Sequence, residues 1–103
     1  NVLLEYKGTR QPVGKNDSKE DFVEFSVRFS KGDILYLCTD GYPDQFGGAR
    51  GKKFMYKKFK ELLVESIKES MEEQKRKLED RLKEWMGSYE QVDDIVIFGV
   101  EID

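Results

Sequence analysis

Histidine is absent from this 103-residue chain. Its absence removes imidazole general bases, Ser-His-Asp triads and His-ligated zinc from the chemistry these residues can supply. There is one cysteine, Cys38, so no disulfide staples the fold. Set inside an apolar run, it reads as an inert core thiol in a reducing compartment. No stretch reaches the roughly 18 apolar residues that a membrane helix needs, and the N-terminus lacks a charged-then-apolar leader. The segment is therefore expected to make no membrane contact and to be cytoplasmic. Neither sign of charge dominates, with 18 basic and 21 acidic residues giving a net charge of −3. Nucleic-acid surfaces are usually net basic. Here only Arg50 to Lys60 is locally basic, and acids soon come after it, so no nucleic-acid partner is expected.

What the chain does have is an apolar fraction of 38%, of which aromatics make up 13% of all residues. That suffices for one small domain with a modest core. The chain opens on Asn1 and a strand-like Val2 to Tyr6, which suggests a larger protein cut at this point.

Residues 32–48 organise the rest. Ile34 to Cys38 is an unbroken apolar run, expected as a strand buried on both faces. It stops at Thr39-Asp40-Gly41. Gly41, Pro43 and Gly47-Gly48 keep the next stretch of chain out of regular structure. A carboxylate at the rim of a sheet is well placed to bind a cation. Asp-Gly is also among the commonest turn dipeptides, so taken alone it reads equally as a turn.

Around that run, residues 2–6 are expected as a first strand and 7–19 as a loop with a tight turn at Gln11 to Gly14. Residues 22–29 alternate, with Val23, Phe25, Val27 and Phe29 on one side. This predicts a strand with one wet face, joined by Ser30 to Asp33 to an antiparallel neighbour at 34–39. A glycine-rich loop spans 39–53. Met55, Phe59, Leu62, Leu63 and Ile67 then recur at helical spacing. A second helix begins at the capping box Ser70-Met71-Glu72-Glu73, carries Met71, Leu78, Leu82, Trp85 and Met86 as its stripe, and stops at Gly87. Glu72–Arg76, Glu73–Lys77 and Glu79–Lys83 are i,i+4 pairs worth about 0.2–0.5 kcal/mol each. The charges from Lys68 to Glu84 read as the wet face of a helix packed on a sheet, since two or three heptads are too few for a coiled coil. Val92 to Ile102 is the last strand, and it opens on Asp93-Asp94.

If the 34–39 and 92–102 strands are antiparallel neighbours, Asp40, Asp93 and Asp94 reach the same rim. Crowded carboxylates favour a neutralising cation. Oxygen ligands without His or Cys favour Mg²⁺ or Mn²⁺ over Zn²⁺. The alternative is that Asp93-Asp94 is the polar end of a loop. A phosphate-binding reading of Gly47 to Lys53 lacks the Walker A pattern, and its lysines read better as a solvated helix start.

Lys31 to Gly41 closely resembles the G-D-x-L-x-L-x-T-D-G segment of PP2C-type metal-dependent Ser/Thr protein phosphatases, and Val92 to Ile97 resembles their closing D-[DN]-[IM]-[TS]-x-[IVL] strand. The D-D form, the compact loop and helical pair, and Pro12-Val13-Gly14 are most similar to the bacterial branch typified by sporulation stage II protein E. Val96 departs from the pattern, where Thr or Ser is commoner. The resemblance covers nearly the whole chain.

The resemblance implies an α+β, sandwich-type fold. Here it would be half of a PP2C-like β-sandwich: an antiparallel sheet with a helical pair inserted before the last strand. It implies two Mn²⁺ or Mg²⁺ ions activating water against phosphoserine or phosphothreonine. Asp40 and Asp93 would be metal ligands, with Gly41, Asp94 and Asp44 in support and no other catalytic side chain. The family's remaining acids lie in an earlier aspartate-glycine motif, and none precedes residue 21 here. Residues 1–103 are therefore expected as the C-terminal portion of the catalytic domain, inactive alone. The implied partners are a phosphorylated regulatory protein, a signalling or sigma-factor regulator such as an anti-anti-sigma factor, and upstream sensor or repeat domains. Half a sandwich would expose apolar sheet, so a homodimer of the fragment is a further expectation. The competing reading is a non-catalytic interaction module that binds through residues 54–86.

Overall fold

The computed structural model describes residues 3–6 and 26–103. It is a mixed α+β arrangement of two small antiparallel sheets and two helices. Strand β1 (Ile34–Cys38) pairs antiparallel with the last strand, in the register Ile34↔Glu101 through Cys38↔Ile97. A second pair, β2 (Phe46–Gly47) and β3 (Lys52–Lys53), forms a small hairpin. Helix α1 (Tyr56–Ser66) and helix α2 (Met71–Met86) come next, and β4 (Ile97–Glu101) is the last element. The strand expected over Val92 to Ile102 is thus shorter than its apolar pattern, and Asp93-Asp94 lie in the non-strand approach to it rather than at its first residues.

The β1–β4 pairing is the adjacency on which convergence at the rim depends. At its far end Gly32 takes φ 90°, a turn conformation that glycine adopts without steric cost. The amide of Gly32 donates to the Ile102 carbonyl at 2.7 Å, and that of Ile102 donates to the Asp33 carbonyl at 2.8 Å. The turn thus extends the ladder.

Several expectations are corrected. β1 is not buried on both faces, because α2 covers one face only. Tyr36 donates its hydroxyl to Gln74 Oε1, while Leu37 on the other face is 58% exposed. Leu37 stands opposite Phe98 and Leu35 opposite Val100, so an apolar face with Val96 lies open among the described residues. Cys38 is exposed as a residue, not a core thiol, although partial burial pushes its thiol above the ordinary range. Residues 26–29 form no strand and do not pair with β1, nor do residues 3–6 form one. Residues 22–25 of the expected second strand, and the turn at Gln11 to Gly14, lie outside the described residues. Lys52-Lys53 belongs to a strand rather than a helix start.

The core joins residues of the two expected helical stripes to residues of the loop before them. Tyr42, Phe54, Phe59, Leu62, Leu63 and Leu78 are buried together. Two of them, Tyr42 and Phe54, come from the glycine-rich loop and its end. Tyr42 stacks edge-on to Phe54 with centroids 5.3 Å apart and lies 5.0 Å from Phe59, in the offset and edge geometries that aromatic pairs favour. Its hydroxyl donates to the Leu78 carbonyl at 2.8 Å, and burial raises its phenol well above the usual range.

α2 behaves as its sequence predicts at both ends. The Ser70 hydroxyl accepts from the Glu73 amide at 3.2 Å, and Gly87, with φ 51°, ends the helix. The expected i,i+4 ion pair of Lys77 gives way to contacts with Glu65 and Glu69, at 3.3 and 3.2 Å. With Arg81–Glu65 at 3.4 Å, these pairs join α2 to α1 and to the link between them. Long side chains on facing helices reach the neighbouring helix as easily as their own next turn. Met55, expected as the first residue of the α1 stripe, is instead its exposed N-cap.

Candidate metal-binding rim

Beyond Cys38 the ladder gives way to a side-chain lock. The Thr39 amide donates to the Val96 carbonyl at 3.0 Å. Its hydroxyl donates to the Asp94 carbonyl at 2.8 Å and accepts from the Val96 amide at 3.0 Å. Thr39 thereby ties the residue before Asp40 to the segment holding Asp93 and Asp94. Gly41 then passes so close to Asp94 and Ile95 that no side chain fits there. The Asp44 amide donates to the Asp40 carbonyl at 3.0 Å, which turns the chain back toward the core.

Each sequence-predicted residue has a definite place. Asp40 is exposed at the rim, and its Oδ1 accepts the Tyr56 hydroxyl from the first residue of α1. That hydrogen bond, then burial and the neighbouring Asp40, Asp44 and Glu5 carboxylates, push the Tyr56 phenol up to about 12. Asp93 turns one oxygen onto the next amide, with Asp94 N donating at 2.8 Å. Gln91 Nε2 donates to the Asp93 carbonyl at 2.9 Å. Asp94 contributes its carbonyl to the Thr39 lock, and its side chain is exposed. Asp44 faces Lys53 at 3.7 Å. Nothing in the sequence singles out Tyr56. A tyrosine between a methionine and two lysines carries no pattern that points across sixteen residues to Asp40.

In kind, these donors suit a hard divalent cation, since they are carboxylate and carbonyl oxygens at an exposed rim. In number they make one side of a site. Among the described residues, no three of His, Cys, Asp and Glu come together to hold an ion.

The loop beyond the rim is held by α2. Trp85 Nε1 donates to the Gln45 carbonyl at 2.8 Å, and the Gly48 amide donates to the Trp85 carbonyl at 2.9 Å. Gln45 is fully buried and donates from Nε2 to the Phe46 and Glu90 carbonyls. This buried glutamine pins the hairpin to the approach of the last strand.

Comparison with curated proteins finds no match. Among solved structures, the chain is similar to the SiaA-PP2C domain of Pseudomonas aeruginosa, at 30% identity and a TM-score of 0.76. That match covers 82% of this chain and 35% of the other, so the present chain spans about a third of that structure's length. The family model for stage II sporulation protein E matches residues 1–103. With Thr39 joining the T-D-G turn to the D-D segment beyond the ladder, the chain belongs to the stage II sporulation protein E (SpoIIE) family, of the PP2C phosphatase type.

Proposed function

We propose that this chain supplies the Asp40 and Asp93 side of a two-cation site in a metal-dependent protein serine/threonine phosphatase. One observation carries the reading: the β1–β4 ladder and the Thr39 lock bring the T-D-G turn against the segment that opens with Asp93-Asp94. Like charges at one rim favour a neutralising cation, and the oxygen donors favour Mn²⁺ or Mg²⁺. Asp40 and Asp93 would hold the cations. Asp94 supports the rim through its carbonyl, Gly41 allows the close turn, and Asp44, engaged by Lys53, is the weaker candidate. The chemistry such cations supply when bound is activation of water toward phosphorus. The chain's own part is to present carboxylates on two segments that Thr39 ties together just beyond the β1–β4 ladder. The remaining ligands would come from elsewhere in the full domain.

The substrate in this reading is a phosphoserine or phosphothreonine on a regulatory protein, with sensor or repeat domains upstream in the parent protein. The open face of Leu37, Val96, Phe98 and Val100 supports self-association of the isolated chain. Sedimentation that finds only monomer removes that part.

The deciding experiment is Mn²⁺ calorimetry and phosphopeptide hydrolysis on the full-length protein, with Asp40→Asn and Asp93→Asn beside it. Loss of Mn²⁺ binding and of turnover in both variants is the expected result. The competing reading is a phosphatase-like interaction module acting through α1 and α2. Full biological function in both variants would establish that alternative and remove the enzyme.

A further inference from the structure

Three observations meet at the start of α1. The Tyr56 hydroxyl donates to Asp40 Oδ1. Tyr56 is 42% exposed, so the core does not require its ring, and a phenylalanine would pack as well. The residue before it, Met55, holds φ 81°, the one positive φ among the described residues that are not glycine. Backbone strain of this kind persists only where the surroundings enforce it. Here the enforcing contact is the Met55 amide donating to the Pro43 carbonyl at 2.7 Å, and Pro43 is fully buried. One hydrogen bond therefore couples the turn that carries Asp40 to the helix start that carries Tyr56.

From this geometry we infer that Tyr56 is a positioning residue for the Asp40 carboxylate, fixing one oxygen so that the other is presented at the rim. A carboxylate at a strand end rotates about its own side-chain bonds. A donor on one oxygen removes that freedom before a cation arrives, as outer-shell partners of metal ligands do. The Met55 turn aims the phenol, and the rigid helix beyond it keeps the aim. The inference rests on the metal-site reading above, and it adds a residue from a different element to that site.

The test compares Mn²⁺ affinity by calorimetry in the full-length wild-type protein, Tyr56→Phe and Asp40→Asn, with circular dichroism melting on each. Tyr56→Phe keeps the ring and removes only the oxygen. The expected result is melting that falls only slightly, with Mn²⁺ affinity weaker by about 10-fold or more, while Asp40→Asn loses the tight binding event. Wild-type affinity in Tyr56→Phe, with binding lost in Asp40→Asn, overturns the positioning role and leaves the metal-site reading standing. Wild-type affinity in Asp40→Asn removes the metal-site reading and the role of Tyr56 together.

Discussion

Gly41 is pressed against the main chain of Asp94: a Cβ at residue 41 would lie 2.8 Å from the Asp94 carbonyl carbon, closer still to its oxygen, and 2.9 Å from Ile95 Cγ1. The neighbour is backbone held by Thr39, so it cannot swing away as a flexible side chain would. Gly41→Ala is therefore expected to lower stability by about 1–3 kcal/mol and to part the two acidic segments. Gly32→Ala is the control. Nothing lies within 4 Å of its Cβ position, and only the φ of 90° opposes it, at about 1–2 kcal/mol. Urea unfolding with Mn²⁺ calorimetry separates the two cases. Both variants should be destabilised, and only Gly41→Ala should lose the metal. Equal metal binding in both would show that the close approach does not shape the rim.

Trp85 is the chain's one tryptophan, and it clamps the hairpin to α2 through the Gln45 carbonyl. Phe54 packs on its ring edge-on at 5.5 Å, and Lys58 Nζ sits 4.5 Å above its face. Trp85→Phe keeps most of the apolar contact and removes the N–H donor, and is expected to cost about 1 kcal/mol. Trp85→Ala should cost about 3 kcal/mol or more. Chemical denaturation of the two variants gives the ratio, and equal losses would mean that the hydrogen bond dominates the packing.

Tyr56 gives a pH dependence of known sign. Its phenol is pushed up to about 12 in the fold, first by the hydrogen bond to Asp40, and stands near 10 when unfolded. The folded state thus holds the proton more tightly. The stability this contributes is fully present below about pH 10 and is lost as pH rises toward about 12. The exposure of the group keeps the effect small. A difference titration at 295 nm between wild type and Tyr56→Phe should show a tyrosine ionising near 12. A difference centred near 10 would mean that the hydrogen bond is not formed in solution.

Met55 stores strain that the core does not use, since it is 58% exposed with φ 81°. Met55→Gly keeps the backbone donor to Pro43 and removes the clash of a side chain at positive φ. The gain is offset in part by the greater freedom of glycine when unfolded. A net stabilisation of about 1 kcal/mol is expected, read as a rise in Tm. A fall in Tm would show that the methionine side chain makes contacts that outweigh its strain.

Much of this was legible in the sequence because it is local. The hydrophobic period of residues 56–86, the Ser70 cap and Gly87 define two helices through contacts within a few residues of each other. The run at 34–38 ending in Thr-Asp-Gly, and the β-branched segment after Asp-Asp, define two strands, although the second begins only at Ile97 and leaves Asp93-Asp94 in the approach to it. Those two motifs, in that order, were also enough to identify the family. Tertiary structure decided what depends on contacts between distant residues. An apolar run does not say how many of its faces will be covered, and α2 covers one face of β1. A glycine-rich loop does not say that Tyr42 and Phe54 will close the core, because that requires α1 and α2 to pack against it. Lys77 could not choose between Glu73 and the acids Glu65 and Glu69, of α1 and of the link after it, until that helix was in place. The same holds for Tyr56 and Asp40: composition and spacing set the chemistry of each, and only the strained turn at Met55, closed on Pro43, brings the phenol to the carboxylate.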